Sequence, residues 1–161
     1  MKIVDLYTPM QASLGSGLRG FEFFKGEFEF LASLAHSWNI NQSSIQTWLS
    51  SKEGIQKQNT AQEFLNVAPA VVKKVETLFG RELPGTLLLM PSFGDFDGFA
   101  RYELGEHHVL LGIDFPDADV EYLKALTAHE LSHVYRDHCE AVWAHLGKPL
   151  IEITRSEYLD A

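Results

Sequence analysis

The sequence predicts an α+β fold: N-terminal helices, a small mostly antiparallel sheet, and one long helix that follows the sheet. Changes of hydrophobic period carry this prediction. Up to residue 80 the apolar residues recur mainly at helical spacing, and between 86 and 113 they gather into short runs separated by Pro and Gly. From Val120 the helical period returns. The size agrees, because 161 residues with 45% hydrophobic and 22% charged suit one compact domain.

The first ~20 residues, with Ser13, Gly15, Ser16, Gly17 and Gly20, read as an irregular lead-in. Over 21–38, Phe21, Phe24, Phe28, Leu31, Leu34, Ala35 and Trp38 keep a helical period, although Glu27–Phe30 alternates like a strand. A second helix is expected over 42–57, with Ile45, Trp48, Leu49 and Ile55 apolar. A third runs from about 60 to 80, where Thr60 and Glu63 have the form of a capping box. Pro69 should divide it, leaving Val71, Val72, Val75, Leu78 and Phe79 on a fresh helix closed by Gly80. This places an N-terminal helical region at 1–60 and the main core at 61–161.

After Pro84-Gly85 the run Thr86–Met90, closed by Pro91, reads as a buried strand. Gly94–Gly98 reads as a turn, and residues 99–103 and 108–113 as two further strands. Asp95-Phe96-Asp97-Gly98 resembles the opening of a calcium loop, but the later ligand positions are not filled, so the turn is the better reading. Asp117 or Asp119 then caps a long helix, complementing its dipole.

Charge and cysteine content narrow the function. The net charge is −9, and residues 93–130 hold nine acids against Arg101 and Lys124. Such a region repels a phosphate backbone and tolerates cations, so no nucleic-acid partner is expected. No apolar run approaches the ~18–20 residues that cross a bilayer, and the start is not a secretory signal. The lone Cys139 excludes an internal disulfide framework and a Cys-rich zinc finger. The expectation is a cytoplasmic protein with no membrane partner.

The long helix carries the chemistry. It contains His129-Glu130-Leu131-Ser132-His133, the HExxH pattern. Four residues turn a helix by about 400°, so the two imidazoles lie on one face and can grip one ion. Glu130 stands beside them, suited to taking a proton from a metal-activated water rather than to binding the metal. Leu123, Leu131 and Val134 form the opposite, apolar face.

Leu110-Leu111-Gly112-Ile113-Asp114 followed by Leu126-Thr127-Ala128-His129-Glu130-Leu131-Ser132-His133 resembles the zincin metallopeptidases, nearest to bacterial zinc-dependent proteases of gluzincin type. The likeness covers about 107–136 closely and Val71–Met90 more loosely, and the first 60 residues match no family pattern. It implies a zincin-like catalytic core, Zn²⁺ as cofactor, and hydrolysis of a peptide or protein substrate. His129 and His133 would be ligands, Glu130 the base, and a third ligand would come from a later helix.

For that third ligand two residues compete. Glu152 lies 19 positions after His133 but has Ile153-Thr154 beside it; Glu157 has a more helical context, with Tyr158 where the family carries glycine. The metzincin pattern fails, because Arg136 and Cys139 occupy its glycine and histidine positions. Because Glu157–Ala161 stands in what reads as mid-helix, the chain is expected to be a fragment with its true third ligand beyond residue 161. Tyr135 and Tyr158 are oxyanion candidates by residue type alone.

Smaller features have plainer readings. Cys139 and His138 are expected to pack in the core, and Asp137 to be solvated or to support the site from behind a ligand. His107-His108 reads as an exposed strand start that could approach the metal, and Arg101 as a residue for a substrate carboxylate or a cross-strand glutamate. The strand at 99–103 is expected to bind extended substrate by β-augmentation. The competing class is a non-catalytic binding or regulatory module with an incomplete metal site.

Overall fold

The computed structural model describes residues 1–12, 42–92, 96–103 and 105–146. The helix expected over 21–38, the first part of the turn before Gly98, and both third-ligand candidates, Glu152 and Glu157, lie outside these residues. The described elements are β1 (Lys2–Asp5), α1 (Tyr7–Ala12), α2 (Gln42–Ser50), α3 (Lys52–Phe79), β2 (Thr86–Met90), β3 (Gly98–Glu103), β4 (Glu106–Gly112) and α4 (Val120–Leu146). Helices and one four-stranded sheet make an α+β fold.

The sheet order is β1-β2-β4-β3. β1 pairs parallel with β2, β2 parallel with β4, and only β3 runs antiparallel to β4. The sheet is therefore mixed rather than mostly antiparallel. All five residues of β2 are buried, so both faces of this strand are covered. β4 covers one edge. The other is covered by the first residues of the chain, which form β1 and the short helix α1 instead of an irregular lead-in. Ile3 and Val4 suit a strand, but their partners Leu87 and Leu88 stand more than 80 residues away, beyond the reach of local pattern.

Helix boundaries also differ from the local signals. Ser51, extended at φ −70° and ψ 158°, ends α2 and caps α3, its hydroxyl accepting from Gly54 N at 3.0 Å. α3 then runs unbroken through Thr60 and Pro69, so the boundary expected at 60 falls inside a helix. Pro69 is exposed, and the buried stripe Phe64, Ala68, Val72, Val75 continues on either side of it. Packing of that stripe outweighs the roughly 3 kcal/mol that an internal proline costs. α3 ends as the sequence predicts, at Gly80 with φ 77°.

One core joins these parts. Leu87, Leu89, Val109 and Leu111 point from one sheet face toward Phe64, Ala68 and Val72 of α3 and Leu123, Leu131 and Val134 of α4. α4 begins where Asp119 Oδ1 accepts from Tyr122 N at 2.8 Å, which settles the cap on Asp119 rather than Asp117. Among the described residues no helix is long and apolar enough to cross a membrane.

Candidate active site

α4 presents His129 and His133 outward and buries Leu123, Leu131 and Val134 against the core, as the helical period predicts. The histidine Nε2 atoms stand 3.2 Å apart, with the rings edge-to-face at 78°. Two nitrogens at the usual 2.0–2.1 Å from one ion, with that 3.2 Å separation, would subtend about 100° at it, close to the tetrahedral angle. The pair therefore fits zinc as two of its ligands. Among the described residues no group of three or more His, Cys, Asp or Glu side chains could hold a metal.

Glu130 lies between the two histidines in sequence but turns inward and is only 5% exposed. It packs under the start of β3, where Gly98 makes room for it. A Cβ on Gly98 would stand 2.6 Å from Glu130 Oε1 and 2.7 Å from Leu126 Cδ1. Burial pushes the Glu130 carboxyl above the ordinary glutamate value; His133 and His129 pull it back, and Asp97 adds to the rise. A carboxyl with a raised pKa beside the histidine pair is chemically able to accept a proton.

Asp97 and Tyr122 lie near Glu130 and His129. Tyr122 Oη donates to Asp97 Oδ2 at 2.6 Å, and Asp97 Oδ1 accepts from Gly98 N at 2.8 Å. The tyrosine bond, more than any other cause, holds the Asp97 carboxyl below its usual range, while the Tyr122 phenol is pushed up to about 12. Asp97 thus belongs to the site, although the sequence marks it only as part of a turn. Tyr122 carries one legible signal: it precedes His129 by seven residues, about two helical turns, and so shares its face.

Two further contacts set where α4 begins. Asp114 Oδ1 accepts from Ser92 N at 2.6 Å and Ser92 Oγ at 2.8 Å, tying together the ends of β2 and β4. Lys57, buried on α3, donates from Nζ to the carbonyls of Ala118 at 2.7 Å and Phe115 at 2.8 Å, with Pro116 at 3.4 Å. Burial lowers its pKa, opposed by Glu53 and by Asp114, Asp119 and Asp117 around the loop. Nothing in the local sequence distinguishes Lys57 from its exposed neighbours.

The remaining candidates are placed as follows. His107 and His108 are buried, at 8% and 4% exposure, not an exposed strand start. Their strand is interior, between β2 and β3, so both of its edges are paired. Cys139 is buried and free, consistent with its reading as a small core residue. His138 is partly buried, with its pKa lowered first by burial and then by Arg81 and His107. Tyr135 stacks on Phe79 at 4.2 Å and packs against the core, which takes it away from an oxyanion role. Arg101 lies opposite His108 in the strand register rather than opposite a glutamate. Asp137, one turn past His133, pairs with Arg136 at 3.3 Å.

Among the described residues β3 is an edge strand of the sheet, and it meets Glu130 at Gly98. Compared with known proteins, the chain matches no family model, no curated protein and no solved structure.

Proposed function

We propose that the protein is a zinc-dependent hydrolase of peptide bonds. The observation that carries this reading is the convergence of the His129 and His133 Nε2 atoms to 3.2 Å beside the buried Glu130, next to the strand that is at the sheet edge among the described residues. His129 and His133 would hold Zn²⁺, with Glu157 or Glu152 as candidates to complete the set. When bound, the ion supplies Lewis acidity, lowering the pKa of a coordinated water toward ~7. Glu130 accepts the proton of the attacking water and returns it to the leaving amine. β3 receives an extended peptide by main-chain hydrogen bonds, which brings the scissile carbonyl over the histidine pair. The single cysteine and acidic composition support a cytoplasmic setting.

The test joins metal content to turnover. Purified protein should carry one zinc per chain, and His129→Ala should lose it. Glu130→Gln should keep the zinc while cleavage of a peptide library, followed by mass spectrometry, falls by about 100-fold or more. Zinc content indifferent to His129→Ala overturns the metal site. Retained zinc with no cleavage by the wild-type chain favours the non-catalytic module.

A further inference from the structure

A cavity of about 650 Å³ opens beside the β3–β4 turn, walled by Pro84, Tyr102, Glu106, His107, Asp137 and His138. Its position relates it to the contact between β3 and α4 at Gly98 and Glu130. Tyr102 lies four residues after Gly98 on β3 and so faces the same side of the sheet, toward α4. His107 is opposite Tyr102 in register, and the two rings meet edge-to-face at 4.9 Å. Asp137 follows Glu130 by seven residues, on the same stripe of α4 about 10 Å further along. The cavity therefore lies further along the line where β3 meets α4, about three residues of extended peptide away from Glu130.

The walls have a definite chemistry. Glu106 and Asp137 bring acidic side chains to the wall, Glu106 Oε1 also accepting from Thr86 Oγ1 at 3.3 Å. The His107 imidazole is 8% exposed, lines the cavity, and makes no hydrogen bond among the described residues, so its ring nitrogens remain to be used. Burial, the largest influence on it, holds it below the ordinary histidine value despite Asp137, and a neutral imidazole can accept a hydrogen bond. Tyr102 is 60% exposed and offers a ring face. Two carboxylates, an imidazole acceptor and an aromatic face, with Pro84 beside them, match one side chain best. A guanidinium has five donors and no acceptor, stacks on aromatic rings, and sits on an apolar stem. The exposed Arg136–Asp137 pair is weak and leaves Asp137 able to take a second partner.

We propose that this cavity is a subsite for the side chain of an arginine in a peptide laid along β3. The peptide identity of the occupant rests on the hydrolase reading; the guanidinium chemistry rests on the cavity walls alone. The test uses the full chain carrying Glu130→Gln and fluorescent extended peptides that differ at one residue: arginine, its neutral isostere citrulline, or phenylalanine. By fluorescence anisotropy the arginine peptide should bind about tenfold more tightly than either other, and Asp137→Asn or Glu106→Gln should each remove most of that difference. A second arm adds N-acetyl-arginine amide. Competition only at far higher concentration than the peptide identifies peptide arginine as the occupant; equal potency identifies a free guanidine compound and overturns the peptide subsite. Equal binding of all three peptides, no binding of any, or indifference to both substitutions also overturns it. Cleavage by the wild-type chain without arginine preference likewise refutes the subsite and leaves the hydrolase intact. Arginine-selective binding without any cleavage does the reverse.

Discussion

Individual side chains in this protein are set by what surrounds them more than by their type. Glu130 and Glu121 lie on the same helix, yet Glu121 is exposed and pairs with Lys124 at 2.9 Å, whereas Glu130 is buried under Gly98 with its carboxyl pKa raised. His107 shows the same dependence with a consequence for stability. Its folded pKa is depressed, first by burial and also by His108, with Asp137 opposing. Above the ordinary histidine value near 6.5 both folded and unfolded forms are neutral, so nothing is lost. As pH falls below that value the unfolded chain takes up the proton first, and stability declines until the folded pKa is passed. The denaturation midpoint should therefore drop between pH 7 and pH 5, and His107→Gln should flatten that drop; equal slopes for both proteins would contradict it.

Elements meet at the site through a few close approaches. Gly98 lets β3 lie on α4, and any side chain there pushes on Glu130 and Leu126. Gly98→Val should lower kcat about tenfold or more with zinc content unchanged, because the histidines are not displaced; an unaltered kcat would show that the contact does not position Glu130. On the other side, Lys57 of α3 clamps the 115–118 loop ahead of α4 through its carbonyls. Lys57→Met fills similar volume but leaves those carbonyls without their buried donor. It should cost about 3 kcal/mol of stability, read by urea denaturation, and a cost under about 0.5 kcal/mol would refute the clamp. The elements themselves were largely legible. β2, β3, β4 and α4 follow from apolar runs, turn residues and the cap at Asp119. Thr60 and Pro69 misled because the buried stripe of α3 outweighs both signals.

The molecule as a whole depends on its first residues. β1 closes the open edge of β2, and α1 behind it sends Tyr7 into the core, where its hydroxyl donates to the Gly54 carbonyl. Deleting residues 1–6 would strip β2 of one pairing edge and uncover Leu87 and Leu89, so the truncated chain should lose several kcal/mol of stability and bind hydrophobic dyes at 25 °C. A truncated chain with an unchanged Tm would show that the strand is dispensable.

The sequence alone determined the α+β class, the strands between 86 and 113, and the placement of His129 and His133 on one face of a long helix. Each follows from a period of two or 3.6 residues, and a helix brings i and i+4 together whatever the rest of the chain does. Tertiary structure decided the sheet order, the burial of Glu130, the Asp97–Tyr122 bond and the cavity by His107. The pairing of Ile3 with Leu87, the approach of Gly98 to Glu130 and the Asp97–Tyr122 bond join residues 84, 32 and 25 positions apart. Local periodicity says which face of an element is apolar, but not which other element will cover it.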